Sequence, residues 1–161
     1  MVCGGEATEP RYFHGLIRAR KAPHVKVKVR PKGVGPSGLV EHAKRLLARG
    51  RDDVDQFTDI PQAAKAARPD IRLAVSNPCF ELWLLLHFEE TPPHCLDYAE
   101  AVRRLRRHLP QYDKRSLDYA AFAAGVDAAL ERSPAYESLN QTDTSRPFSG
   151  VGALVRRIIE R

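Results

Sequence analysis

Two aspartates stand one residue apart in DDVDQF (52–57), Asp53 and Asp55. Residues two apart in an extended segment project to the same side, so this pair would offer two carboxylates to one hard cation. Magnesium takes one or two carboxylates and keeps positions open for water and phosphate. The plainer reading is a solvated acidic turn, a common use of short acidic runs. A third carboxylate, Glu81, is the single acid in the apolar run of SNPCFELWLLLHF (76–88). It either complements the positive end of a helix or occupies a strand-to-helix junction, where open α/β folds gather ligands.

Other candidates carry less chemistry. Arg103, Arg104, Arg106 and Arg107 lie within RRLRRH (103–108) and would either contact phosphates or form a solvated helix face. KGVGPSG (32–38) is not followed by the lysine and hydroxyl that complete a phosphate-binding loop and reads as a plain turn. Cys79, His87, His94 and Cys95 lack the close cysteine pairs of a zinc site and read as packing and surface residues.

The elements that must position these groups alternate. Met1 to Cys3 reads as a stub of strand. Thr8 reads as the cap of a helix with Glu9 and Pro10 in its first turn and Tyr12, Phe13, Leu16 and Ile17 inward. HVKVKVR (24–30) alternates valine and lysine, the pattern of a half-buried strand. Leu39 to Ala48 reads as an amphipathic helix stopped by Gly50. RGRDDVDQFTD (49–59) has to do a strand's work with only Val54 and Phe57 as apolar residues, so a loop or a very short strand is expected there. Ile60 to Ala67 reads as a short helix and IRLAV (71–75) as a strand. It feeds a helix capped by Asn77 with Pro78 at its first position. Helices follow at Leu96–Leu109, Leu117–Arg132 and Val151–Ile159, with 133–150 a polar loop. The sum is an α/β front half, residues 1–90, and a helical addition, 91–161.

The balance of 43% hydrophobic and 29% charged residues is that of a globular chain. A net charge of +6 admits an anionic partner, though basicity also serves solubility. Three cysteines cannot all pair within one chain, and MVCGGEATEP lacks the basic-then-apolar pattern of a signal peptide. Leu82 to Leu86 is too short an apolar run to span a bilayer. Reduced thiols in the cytoplasm are the expectation.

GGEATEPRYF near the start, DVDQF in the middle and SNPCFELWLLLHF downstream together resemble the RloB-like family; QYDKRSLD (111–118) and RPFSGVGALV (146–155) fit its tail. The resemblance extends over nearly the whole chain, as one domain, 1–161. It implies a Toprim-like fold, a small parallel sheet with flanking helices. It also implies a role in defence against phage, linked to restriction and abortive infection, often beside an ATPase. In that fold a glutamate after the first strand and an Asp-x-Asp pair hold metal for phosphodiester chemistry. Carried over residue by residue, this makes Asp53 and Asp55 magnesium ligands and Glu81 a third acidic member. Nucleic acid is then the substrate, the α-helical arginines named above its contacts, and an ATPase a partner.

Two departures qualify the match. Gly4 stands where the family has glutamate, and RGRD replaces the apolar strand before Asp-x-Asp. The expected activity of the isolated chain is therefore weak or absent. A non-catalytic partner of a defence ATPase, with a vestigial acidic site, is the alternative.

Overall fold

In a computed structural model, residues 2–3, 7–23, 25–29, 38, 40–41, 74–90, 97–136 and 147–160 are described. They form a mixed α/β, mostly helical structure. Asp53, Asp55, Gly4 and the segment 49–59 lie outside the described residues, and so do the helix expected at 60–67 and most of IRLAV.

The first half contributes β1 (Val2–Cys3), α1 (Thr8–Ala19) and β2 (Lys28–Val29), with β1 and β2 paired in parallel, Val2 opposite Lys28. The alternation of HVKVKVR survives just before β2, where Val25 and Val27 pack against the core and Lys26 is exposed. A second pair joins β3 (Ser76–Asn77) to β4 (Phe148–Ser149), antiparallel, with Ser76 opposite Ser149 and Asn77 opposite Phe148. Among the described residues the strands form these two pairs, and a continuous parallel sheet is not seen.

The remaining helices are α2 (Glu81–Leu85), α3 (Tyr98–His108), α4 (Ala120–Ala123), α5 (Val126–Arg132) and α6 (Val151–Ile159). Asp97 caps α3, its carboxylate accepting from the Glu100 N–H at 2.7 Å; three basic residues close its last turn, where they complement the helix dipole. One apolar cluster unites the halves. Tyr12, Phe13 and Leu16 of α1 meet Trp83, Leu84 and Leu85 of α2, then Leu105 of α3, Phe122, Val126, and Val155 and Ile158 of α6. Helices from 97 onward thus bury their apolar faces against front-half residues instead of around a core of their own.

At the centre of this cluster is a polar pair. His87 Nδ1 must donate to the Trp83 carbonyl, 3.1 Å away, because a carbonyl only accepts. Its Nε2 is therefore the acceptor, and the Tyr12 hydroxyl donates to it at 3.0 Å. Burial holds the imidazole down to about 4, so it is neutral. Around it Tyr12 packs edge-on against Phe13, Phe80, Trp83, Tyr119 and Phe122. The cluster holds α1 on α2 and so fixes where Glu9 lies relative to Glu81.

Four sequence expectations need correction. Thr8 does not cap α1: it is the first helical residue, and its hydroxyl donates to the Lys114 carbonyl at 3.3 Å instead. Asn77 does not cap α2, nor is Pro78 its first residue. Asn77 is committed to the ladder with Phe148, and the helix starts at Glu81 with Phe80 in the cap position. The expected helix 117–132 is divided into α4 and α5 around Gly125, where a side chain would meet the His87 carbonyl oxygen at 2.5 Å. The expected polar loop 133–150 begins with a 3₁₀ turn, Ser133–Tyr136, and ends in β4.

Candidate active site

Glu81 opens α2, a helix of five residues. The strand β3 ends four residues earlier, so Glu81 lies just past a strand-to-helix junction. Its side chain is buried, only 4% exposed, and Oε1 accepts from the Tyr112 hydroxyl at 3.0 Å. So short a helix has little dipole to complement, and burial of a carboxylate is costly unless a partner compensates. Dipole complementation alone therefore accounts poorly for this acid.

The groups around Glu81 come from distant parts of the chain. Glu9 of α1 is held above the usual carboxylate range, first by burial and further by the charge of Glu81. The Cys79 thiol is pushed up to about 12 by burial, with Glu81 adding to the effect. Tyr112 is raised for the same two reasons in the same order. Tyr98, at the start of α3, also feels burial first and then Glu81. Thr8 binds the loop carrying Tyr112 through the Lys114 carbonyl. A second seam lies at β3 and β4, where the Ser76 and Ser149 hydroxyls are 2.8 Å apart and the Gly150 N–H donates to the Val75 carbonyl at 2.9 Å.

Four stretches singled out in the sequence thus meet: Thr8 and Glu9, Ser76 to Glu81, Tyr112 to Lys114, and Phe148 to Gly150. A family model described as RloB-like protein matches residues 1–158. The chain belongs to the RloB-like family. No curated protein and no solved structure matches it. For this RloB-like chain the described parts of the motifs that carry the resemblance are therefore also the ones the fold assembles; residues 4–6, 53–57 and 146 lie outside the described residues.

The donors at hand suit a hard cation in type and fall short of one in number. Glu9 and Glu81 supply carboxylate oxygens, the ligands magnesium prefers, and among the described residues neither forms an ion pair with a lysine or arginine. The charge of Glu81 adds to the cost of ionising Glu9, a repulsion that a cation would relieve. Among the described residues, however, no group of three or more His, Cys, Asp or Glu side chains is placed to hold a metal. A complete site would need further ligands from outside the described residues, where the sequence-expected Asp53 and Asp55 lie.

The four arginines of α3 differ in what they already bind. Arg103 forms a two-pronged pair with Glu100, at 2.8 and 2.7 Å. Arg104 is drawn inward to Glu89 at 2.7 Å, where His108 also binds the same carboxylate and stacks on Phe88. Arg106 is exposed, and its Nε donates to the Tyr112 carbonyl at 3.4 Å. Arg107 is exposed. Sequence reasoning missed Tyr112 and Glu9 as parts of the site. Only the family motifs containing them pointed that way, because a lone tyrosine in a loop has no periodic signal. Among the described residues no helix is long and apolar enough to cross a membrane.

Proposed function

We propose that this RloB-like protein is a metal-dependent nuclease of anti-phage defence with a Toprim-like core, and that Glu81 is its central described carboxylate. The observation that carries this reading is the buried pairing of Glu81 with Tyr112, beside Glu9, at the meeting point of the family motifs. A buried acid with no cationic side-chain partner among the described residues is expensive for a fold to keep for stability alone, and function is the stronger reason to keep it.

In this reading Asp53 and Asp55 hold magnesium, with Glu81 completing the acidic set. Bound there, the ion would supply electrostatic stabilisation of the charge on the phosphate during phosphodiester cleavage. The chain's own residues have defined tasks. Tyr112 fixes the Glu81 carboxylate in one orientation through its hydroxyl, so Tyr112 is a positioning residue. Glu9, with its raised proton affinity, is suited to hold a proton near the carboxylate and give it up to an anionic product.

The test is cleavage of labelled nucleic acid by the purified chain with magnesium or manganese. The expected result is slow cleavage, because Gly4 stands in place of one acid, and its loss on Asp53→Asn, Asp55→Asn or Glu81→Gln. Gly4→Glu should raise the rate. Silence from both the parent and Gly4→Glu would favour the second reading, a non-catalytic partner of a defence ATPase, which co-purification with a neighbouring ATPase would then support.

A further inference from the structure

Tyr98 is the one exposed large hydrophobic side chain among the described residues, 44% accessible. It begins α3, and the ammonium of Lys114 lies over its ring, 5.5 Å from the centroid. The backbone of Lys114 is tied to Thr8, and two residues earlier in the same loop Tyr112 binds both Glu81 and Arg106. An exposed aromatic ring, an exposed lysine and an exposed arginine therefore surround the loop that reaches the buried carboxylate. The buried face of α3 is supplied by Ala101, Val102 and Leu105, and Tyr98 is not among its buried residues.

We propose that Tyr98, with Lys114 and Arg106, forms a platform for single-stranded polynucleotide beside the loop that binds Glu81, the ring stacking a base and the two cations meeting the adjacent phosphates. This deepens the nuclease reading and rests on it for the identity of the ligand. Sequence-tolerant single-strand binders combine such rings with cationic side chains, since every base has a stacking face. The electrostatic influence of Glu81 and Cys79 on the Tyr98 hydroxyl agrees with a position beside the acid. A single strand offers its bases to the Tyr98 ring directly, whereas a rigid duplex would have to open to stack there. The platform thus selects unpaired strands. Arg103 and Arg104, committed to Glu100 and Glu89, contribute less than Lys114 and Arg106.

The experiment measures fluorescence anisotropy of a labelled oligothymidylate, and of an abasic oligonucleotide of equal length and charge, in EDTA so that binding is separated from cleavage. Tyr98→Ala should weaken oligothymidylate binding roughly 5- to 150-fold, the range of one lost base stack, and leave the abasic probe unchanged. Tyr98→Phe, which keeps the ring, should restore binding. Lys114→Ala should weaken both probes alike and reduce the salt dependence. Equal binding by the parent and Tyr98→Ala would overturn the proposal, as would loss of both probes together or no binding by the parent. Cleavage of duplex without single-strand binding would overturn the platform alone. Tyr98-dependent binding without cleavage in magnesium would uphold the platform and sink the nuclease reading.

Discussion

The Tyr112 hydroxyl donates to Glu81 Oε1 across 31 positions of chain, a 3.0 Å bond within a buried environment. It links the loop after α3 to the first residue of α2. Replacing Tyr112 by phenylalanine removes the donor without changing the ring. Bonds to charged groups contribute about 1.5–3 kcal/mol, and a chain of this length shifts its Tm by about 2–4 °C per kcal/mol. Tyr112→Phe should therefore lower Tm by roughly 3–12 °C. Glu81→Gln in the Tyr112→Phe background should cost less than Glu81→Gln alone, because the shared bond is already gone. Additive losses in a thermal melt would show that the two residues are not coupled.

Cys79 tests the charge on Glu81 from a neighbouring position. Its thiol titrates near 12, held there first by burial and then by the Glu81 carboxylate. The thiolate is the reactive form, so in a Cys3→Ser, Cys95→Ser background alkylation at pH 8 should run more than about tenfold slower than for a free cysteine. The rate should climb as pH approaches 12. Glu81→Gln should accelerate it by removing the repelling charge. A rate indifferent to that change would separate Cys79 from the acid.

His87 sets an acid limit on the fold. Its folded pKa, about 4, lies below the ordinary 6.5. As pH falls from 6.5 toward 4 the unfolded chain takes up a proton that the native imidazole refuses, so stability drops through that window and is fully present above it. A shift of this size corresponds to roughly 3 kcal/mol. Denaturant melts between pH 7.5 and 4 should show the decline, and His87→Gln should flatten it while lowering stability at neutral pH. A pH profile unchanged by His87→Gln would assign the acid sensitivity elsewhere.

The elements with strong periodic patterns were legible in the sequence. α6 begins and ends at Val151 and Ile159, as its apolar spacing indicates, and α1 buries Tyr12, Phe13 and Leu16 as expected. Trp83 and Leu84 are fully buried, with Phe88 partly so. Boundaries set by distant partners were not legible. Asn77 has the chemistry of a cap, but its backbone pairs with Phe148, 71 positions away. Thr8 has it too, but its hydroxyl finds Lys114. Alanine-rich 117–132 has the propensity for one helix, and Gly125 against His87 breaks it. Glu81 was legible as an anomaly, one acid in an apolar run; that Tyr112 and Glu9 join it was not, because only the tertiary packing of α1, α2 and the 109–118 loop brings them together.

The claim that Glu81 belongs to a metal site is tested most directly by magnesium titration followed by thermal melting. A ligand that binds only the native state stabilises it by about 2.7 kcal/mol at a hundredfold excess over Kd, or roughly 5–11 °C in a chain of this size. The parent chain should show such a rise with magnesium or manganese, and Glu81→Gln and Asp55→Asn should each abolish most of it while remaining folded at the start of the titration. No rise in the parent, or the same rise in all three, would contradict the account.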